Sequence, residues 1–325
     1  MASDTRIENL DDYLANAEPE HIRARVAYLY FVAGQTQQDI ANSLGITRLR
    51  VNNIVGQCRI DGTVSVDVRI PIVECVALEE RLRKRFGLAS VTVVPTIPDV
   101  DVLQRMIGEA AGALLDRLIA NGMGLGVGWG RTLSWAVNRL PRRRYAESWV
   151  ATLMGGLTRG SGTNTFEVAT HFAQALGAEC YYLAAPLYCP SVESRDMLLT
   201  HQGLADVMRR ARGVDIALVS SGDFSKRSQL AVTPTVKENL AELRAAGAIG
   251  DLLGSFLTAE GKVADHPLNE RAMALNIADL ARIKTSILVS GGLYKFDIVR
   301  AALISSRVNG IVTDEALARA ILDKS

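Results

Sequence analysis

Two groups of residues in this 325-residue chain have types and spacings that could do chemistry. The first is polar and basic: Thr36, Gln37, Thr47, Arg48, Arg50, Asn52, Asn53 and Arg59. Arginine can donate to both O6 and N7 of guanine, and asparagine can pair in the same two-pronged way with N6 and N7 of adenine. Arg48 and Asn52 are four residues apart, so a helix would set them on one face as base readers. Arg50, Asn53 and Arg59 would then reach phosphates, contacts that position a protein without reading sequence. The second group sits in glycine-rich stretches: Gly128, Trp129, Gly130, Arg131 and Thr132, then Gly155 and Gly156, then Asp223 and Lys295. Glycine lets backbone approach a ligand closely, a helix start offers unpaired N–H groups, and Arg131, Thr132 and Lys295 add side-chain donors. That is chemistry for holding a small polar molecule. His21, His171, His201 and His266 are scattered and read as structural or surface residues, and no metal-ligand spacing emerges. No catalytic residue, metal or cofactor is therefore expected.

The elements that must position the first group lie between residues 20 and 70. Ile22, Val26, Leu29 and Tyr30 recur at helical spacing, which predicts a helix over about 20–32 ending at Gly34. Thr36 then precedes Gln37-Gln38-Asp39 in a capping-box-like start, and Ile40, Ala41 and Leu44 face inward from a short helix, Gln37–Leu44. Gly45 supplies a tight turn, Ile46 plugs the core and Thr47 caps a third helix over Arg48–Asp61, with Val51, Ile54 and Val55 inward. Val64, Val66 and Val68 alternate with polar residues as a wing strand would. Helix, turn, helix is the arrangement that sets its last helix in the DNA major groove and the preceding one against the backbone. The same residues would also suit a small helical bundle with a solvated polar face.

From residue 91 onward the pattern is that of an α/β domain. Strand-like runs at Val91–Val94, Gly124–Trp129, Trp149–Met154, Cys180–Leu183, Ile216–Ser220, Ile287–Ser290 and Gly310–Val312 alternate with helical segments such as Val102–Ala120, Asn164–Leu176, Val236–Ala246 and Asp297–Ser305. Such alternation predicts a mostly parallel sheet covered on both faces. Ligands of these sheets bind beyond the carboxyl ends of the strands, where the glycine-rich stretches fall. Gly126–Thr132 is not a dinucleotide fingerprint, since the sixth position from Gly126 is Arg131. The run from Gly155 to Asn164 is either a ligand loop or a mobile one. Lys295 near a helix start is electrostatically unusual, and either serves a ligand or is solvated. The charged helix Glu74–Phe86 between the two regions is either a connector or a dimer contact.

Composition sets the frame for both regions. The chain is 48% hydrophobic and 22% charged, ordinary for a soluble protein, and long enough for two cores. Net charge is only +1, so nucleic-acid binding must rest on a local patch. Residues 21–60 hold five arginines against Asp39 alone. Cys58, Cys75, Cys180 and Cys189 form no CxxC pair and read as free thiols in a reducing cytosol. The acidic lead-in, Asp4 through Glu20 with one Arg6, is no secretory signal, and the longest apolar runs fall short of a membrane span.

The residues together are similar to the sorbitol-operon-regulator (SorC) family. The likeness rests on Val26-Ala27-Tyr28-Leu29-Tyr30, Gln37-Gln38-Asp39-Ile40-Ala41, Leu44-Gly45-Ile46, Gly126–Thr132, Met154-Gly155-Gly156, Gly247–Asp251, Ser290–Lys295 and Ile311–Glu315, in family order. Within the family the chain resembles regulators of polyol use, erythritol among them. The resemblance implies a cytoplasmic transcriptional regulator, a repressor among the options, that binds palindromic operator DNA as a dimer or tetramer and answers to a small sugar, polyol or sugar-phosphate effector. It implies a winged helix-turn-helix with an acidic lead over 1–70, a linker helix over 71–88, and a sensing and oligomerisation domain over 89–325. That last domain would resemble the glucosamine-6-phosphate deaminase and ribose-5-phosphate isomerase fold. It also implies that Asp251 joins Lys295 and the Gly128–Thr132 loop at the effector. Where many members carry Gly-Arg-Phe-Phe-Asp, this chain has Gly254-Ser255-Phe256-Leu257-Thr258, and the lost cation suggests an uncharged ligand. The rival reading is a sugar-phosphate isomerase or deaminase carrying a DNA-binding domain, with Asp223, Asp251 or Lys295 as acid and base.

Overall fold

The computed structural model describes residues 19–64, 73–157 and 164–324, in two compact units that divide after Ile70. In the first unit, helix α1 (Glu20–Ala27) runs on into a wider π-helical turn at Tyr28–Val32. It is followed by α2 (Gln37–Leu44) and α3 (Arg48–Ile60). Both N-caps foreseen from sequence are made: Thr36 Oγ1 accepts from Asp39 N and Thr47 Oγ1 from Arg50 N, each at 3.2 Å. Gly45 ends α2 in the left-handed region, at φ 65°, which a side chain would resist. Val26, Ile40, Val51, Ile54, Val55 and Cys58 close a small core. The wing positions Val66 and Val68 lie outside the described residues.

The second unit is built on a seven-stranded sheet. Its strands are β1 (Ser90–Val94), β2 (Gly124–Val127), β3 (Trp149–Thr152), β4 (Glu179–Tyr181), β5 (Ile216–Val219), β9 (Thr285–Val289) and β10 (Gly310–Asp314). They lie in the order β1-β10-β9-β5-β2-β3-β4, every pair parallel. The seven runs read from the sequence are these seven strands, though several end one or two residues earlier than expected. Successive residues of one strand serve opposite faces, as a strand's pleat requires. Ile216 and Leu218 join one apolar cluster, Ala217 and Val219 the other.

A second sheet was not foreseen. Strands β6 (Ser221–Gly222), β7 (Ala248–Leu252) and β8 (Ser255–Thr258) form an antiparallel trio in that order. The GAIGD segment is thus strand β7, and the Gly254–Thr258 segment is the buried hairpin partner beside it.

Helices cover both faces. They are α4 (Val73–Phe86), α5 (Val100–Leu118), α6 (Arg131–Ala136), α7 (Thr165–Leu176), α8 (Val192–Thr200), α9 (Gln202–Arg212), α10 (Pro234–Ala245), α11 (Pro267–Glu270), α12 (Ile277–Leu280), α13 (Phe296–Ile304) and α14 (Glu315–Asp323). The expected linker helix is α4, and it is no free connector. Cys75, Leu78 and Leu82 are buried in the main core, so α4 belongs to the second unit. Helix α5 presses on α6 through two glycines four residues apart. A Cβ on Gly108 would fall 2.2 Å from the Thr132 carbonyl oxygen, and one on Gly112 2.0 Å from that of Ala136. Among the described residues no helix is long and apolar enough to cross a membrane.

Candidate functional site

On the first unit, α3 presents Arg48, Arg50, Asn52, Asn53 and Arg59, all exposed. Val51, Ile54, Val55 and Cys58 between them are consumed by the core, so the polar set is left on the outer face, where Leu49 is exposed beside it. Gln37, at the start of α2, donates from Nε2 to Asn52 Oδ1 at 3.2 Å. This ties the two helices together on the side where the base-reading candidates stand. Arg59 and Arg23 are engaged within the unit. Arg59 lies over the Phe31 ring, 5.4 Å from its centroid. Arg23 pairs with Asp61, an acid just beyond the stretch whose charge excess drew attention.

On the second unit, the chain order β2→β3→β4 grows the sheet one way and β5→β9→β10 the other. The reversal falls between β2 and β5, and a doubly wound sheet opens a crevice there, at the carboxyl ends of its strands. The observed cleft lies on that line. It takes in about 520 Å³, solvent at its open side included, and is lined chiefly by the loops that follow three strands. Trp129–Thr132 follow β2, Ser220–Asp223 follow β5, and Tyr294 and Lys295 follow β9, with Asp251 reaching in from β7.

The hydrogen bonds show how the loops are held. Ser220 Oγ donates to the Trp129 carbonyl at 2.6 Å, and Gly128 N donates to the Leu218 carbonyl at 2.9 Å, stitching the β2 and β5 loops together. Ser221 and Ser290 hydroxyls bond at 2.8 Å. Asp314, fully buried at the end of β10, accepts from Gly292 N at 2.5 Å, Thr96 Oγ1 at 2.8 Å and Leu317 N at 3.2 Å. The Ile311–Glu315 motif is thus a clamp that fixes the loop carrying Lys295.

The polar groups inside perturb one another. Asp251 is buried, and burial pushes its carboxyl up to about 7; the Gly254 N–H at 3.1 Å and the Lys295 ammonium oppose the rise, and Asp223 adds to it. Burial pulls the half-buried Lys295 ammonium down to about 8, against the pull of Asp223 and Asp251. Its Nζ donates to the Ser221 carbonyl at 2.9 Å. These partners answer the oddity of a lysine at a helix start: the ammonium is bonded to the Ser221 carbonyl and feels the charge of two acids. Tyr294, its phenol pushed up by burial, accepts from Gln104 Nε2 at 3.0 Å. Arg131 stands at the rim, 3.3 Å from Asp101 Oδ1.

Of the sequence-derived residues, the structure brings Trp129, Gly130, Arg131, Thr132, Asp223, Asp251 and Lys295 to one cleft. It does not bring Gly128, Gly155 or Gly156 to the lining. Gly128 is buried one residue behind it. Gly155 N donates to Met273 O and Gly156 N to Ala185 O, so both glycines serve backbone pairing in the core. Residues 158–163 of that glycine-rich run lie outside the described residues. The Gly254–Thr258 segment, from which an uncharged ligand was suggested, lines no part of the cleft either, because it is a buried strand. Sequence reasoning missed Gln104, Arg227, Ser228, Gln229 and Leu230. Gln104 carried one signal, a polar residue on the buried face of α5.

Comparison with known proteins bears on both units. Residues 70–323 match the family described as "Putative sugar-binding domain". The chain is 32% identical over 314 residues to the "Erythritol catabolism regulatory protein EryD" of Brucella abortus (strain 2308), covering 95% of this chain and 98% of that protein. It is 32% identical over 329 residues to the "Transcriptional regulator LsrR" of Klebsiella pneumoniae subsp. pneumoniae, covering 98% of each. The crystal structure of the full-length sorbitol operon regulator SorC from Klebsiella pneumoniae superposes with a TM-score of 0.72, covering 94% of this chain and all of that one, at 24% identity. That last likeness speaks to the α/β fold and its mostly parallel sheet.

Proposed function

This chain belongs to the SorC-like family of sugar-binding-domain transcriptional regulators, and on that premise we propose that it switches a carbohydrate or polyol catabolic operon in response to a small effector held in the β2–β5 cleft. The observation that carries this reading is the convergence of Arg131, Asp223, Asp251 and Lys295 at the sheet's switch point, in a domain matched as sugar-binding. The relatives are named as regulators, which favours regulation over isomerase or deaminase chemistry. The effector is a sugar, sugar alcohol or sugar phosphate.

In this reading residues 1–70 form a winged helix-turn-helix that grips operator DNA, with α3 in the major groove. Arg48 and Asn52 read bases; Arg50, Asn53 and Arg59 approach phosphates; Thr36, Gln37 and Thr47 set the helix starts against the DNA backbone. Residues 71–88 enter the sensor, and 89–325 sense the effector and hold a dimer or tetramer on a palindromic operator in the cytoplasm. The sensor's kinship would be with the glucosamine-6-phosphate deaminase and ribose-5-phosphate isomerase fold. Gly128, Gly155 and Gly156 contribute as backbone supports of the effector loops. An effector acts through unequal affinity for the DNA-competent and incompetent arrangements, reorganising the loops at Gly128–Thr132 and Lys295.

The test has two readouts on the purified full chain. Binding sites are selected from random DNA, and affinity for the winner is followed by fluorescence anisotropy while sugars, polyols and their phosphates are added. The same compounds are screened for a rise in melting temperature, which ligand binding to the native state must produce. The expected result is one compound class moving both readouts, lost in Arg131→Ala and Lys295→Ala. Equal binding to selected and random DNA, with no compound moving either readout, would sink the proposal.

A further inference from the structure

Asp223 Oδ1 is buried at the cleft and accepts no hydrogen bond, whereas Oδ2 accepts from Ser225 N at 3.1 Å. A carboxylate oxygen removed from water without a donor loses its solvation uncompensated, so such an atom calls for a donor from an occupant. Asp251 lies close by, buried, and both acids face the one ammonium of Lys295. Lys295 already gives one N–H to the Ser221 carbonyl. The interior thus sets two carboxyl groups around one ammonium.

The remaining cations are at the mouth and have partners. Arg131 Nη1 is 3.3 Å from Asp101 Oδ1 and its Nη2 is 3.5 Å from the Arg227 carbonyl. The Arg227 guanidinium lies over the Tyr294 ring, 5.6 Å from its centroid. Between mouth and floor the side chains are amide and hydroxyl, chiefly Gln104, Ser220 and Ser228. The helix that starts at Arg131 has only six residues and offers little dipole to an anion. A phosphate at the floor would meet the Asp223 carboxylate; a hydroxyl there would meet an acceptor lacking a donor.

Resting on the effector reading above, we infer that the occupant is an uncharged polyhydroxyl compound, a sugar or sugar alcohol without phosphate, one of whose hydroxyls donates to Asp223 Oδ1 while Lys295 donates to a neighbouring oxygen. This deepens the proposed function by naming the effector's charge class and the residue that selects it. Asp223 acts by accepting a donor and by repelling an anion, two effects that different substitutions separate. Asp223→Asn keeps an acceptor and removes the charge; Asp223→Ala removes both.

The experiment is titration calorimetry of the intact protein with matched pairs, each a four- to six-carbon sugar or sugar alcohol and its monophosphate. The neutral member of one pair is expected to bind more tightly than its phosphate by about tenfold or more, the scale set by one buried charge repulsion or unmet hydrogen bond. Asp223→Ala should weaken the neutral member, and Asp223→Asn should shift the neutral-to-phosphate preference toward the phosphate. Melting temperature, taken without ligand, confirms that both variants fold. Tighter binding of the phosphate to the wild-type protein overturns the inference and leaves the effector reading intact. An unchanged preference in Asp223→Asn also overturns it. Binding by neither member of any pair overturns the inference and the effector reading together.

Discussion

Gln37 Nε2 donates to Asn52 Oδ1 across 3.2 Å, joining the first residue of α2 to the exposed face of α3. The bond holds the Asn52 amide by its oxygen and leaves the N–H₂ group out of this contact. A carbonyl oxygen has two lone pairs, so Oδ1 retains one for a base. Gln37 is thereby a positioning residue for Asn52.

Asn52→Ala should cost ~1–3 kcal/mol of operator affinity and relax selectivity at one base pair. Gln37→Ala should relax the same base pair with a smaller loss, because Asn52 remains present but less ordered. Site selection with each variant, followed by anisotropy titration, checks this. If Gln37→Ala broadens a different position from Asn52→Ala, the bond has no part in readout.

The buried acid and base of the cleft should leave a mark on stability against pH. Asp251 has its folded value raised to about 7 from an ordinary 3.8, so between those values the folded state holds a proton that the unfolded state has released. Stability of the wild-type protein should therefore fall, relative to Asp251→Asn, as pH rises from about 4 to about 7. Lys295 is lowered to about 8 from 10.5, so in that upper window the unfolded state holds the extra proton. There the wild type should gain on Lys295→Met as pH rises. Denaturant titrations at a series of pH values give both differences; flat differences across both windows would refute the account.

Close backbone contact between α5 and α6 should make Gly112 intolerant of a methyl group. An added Cβ would fall 2.0 Å from the Ala136 carbonyl oxygen, and only backbone movement relieves that. Gly112→Ala should destabilise the second unit by ~1–3 kcal/mol, the scale of overpacking, and weaken effector binding by displacing Arg131 and Thr132. Gly56, inside α3, has nothing within 4 Å of such a Cβ. Gly56→Ala should raise the first unit's stability by roughly 0.5–1 kcal/mol through helix propensity. Thermal unfolding of both variants makes the comparison, and equal effects would contradict the packing argument.

Asp314 is not among the residues that line the cleft, yet its three accepted hydrogen bonds hold the Gly292 turn, Thr96 and the first turn of α14. Asp314→Ala would strand two buried backbone donors, at ~1–3 kcal/mol for each unmet group. Effector affinity should drop with stability, and the loop at Gly291–Lys295 should lose hydrogen-exchange protection. Retained protection there would show that the clamp is not needed.

The sheet was legible because its strands are short β-branched runs between longer helical ones, and Val150, Ala151, Ile216 and Ala217 have no polar face to disguise them. Their ends were read too far along: Trp129, Met154, Ser220 and Ser290 continue the apolar or small-residue run but have already turned into loops. The antiparallel trio was hidden for the opposite reason. Ser221–Gly222 is two residues long, and Gly247–Asp251 is rich in glycine, so neither shows alternation. Half of the cleft could be read from the loops after β2, β5 and β9. Gln104 could not, since its place there depends on α5 crossing the loop of a strand that follows it by nearly two hundred residues. Gly155 and Gly156 fall outside the cleft lining, and the sequence did not signal this because a glycine needed for core pairing and one needed for ligand approach look alike.

The edge strand β1, Ser90–Val94, pairs in parallel with Gly310–Asp314 of β10. During synthesis its five residues leave the ribosome some two hundred residues before their partner is made. The helical unit before residue 70 depends on local contacts and can finish early, as leading domains generally do. From then until β10 is made the nascent chain carries a first unit followed by a strand β1 without its partner. A message cut short between β9 and Gly310 would yield that first unit attached to a sheet whose strand β1 has no partner, a product for the cell's proteases to recognise.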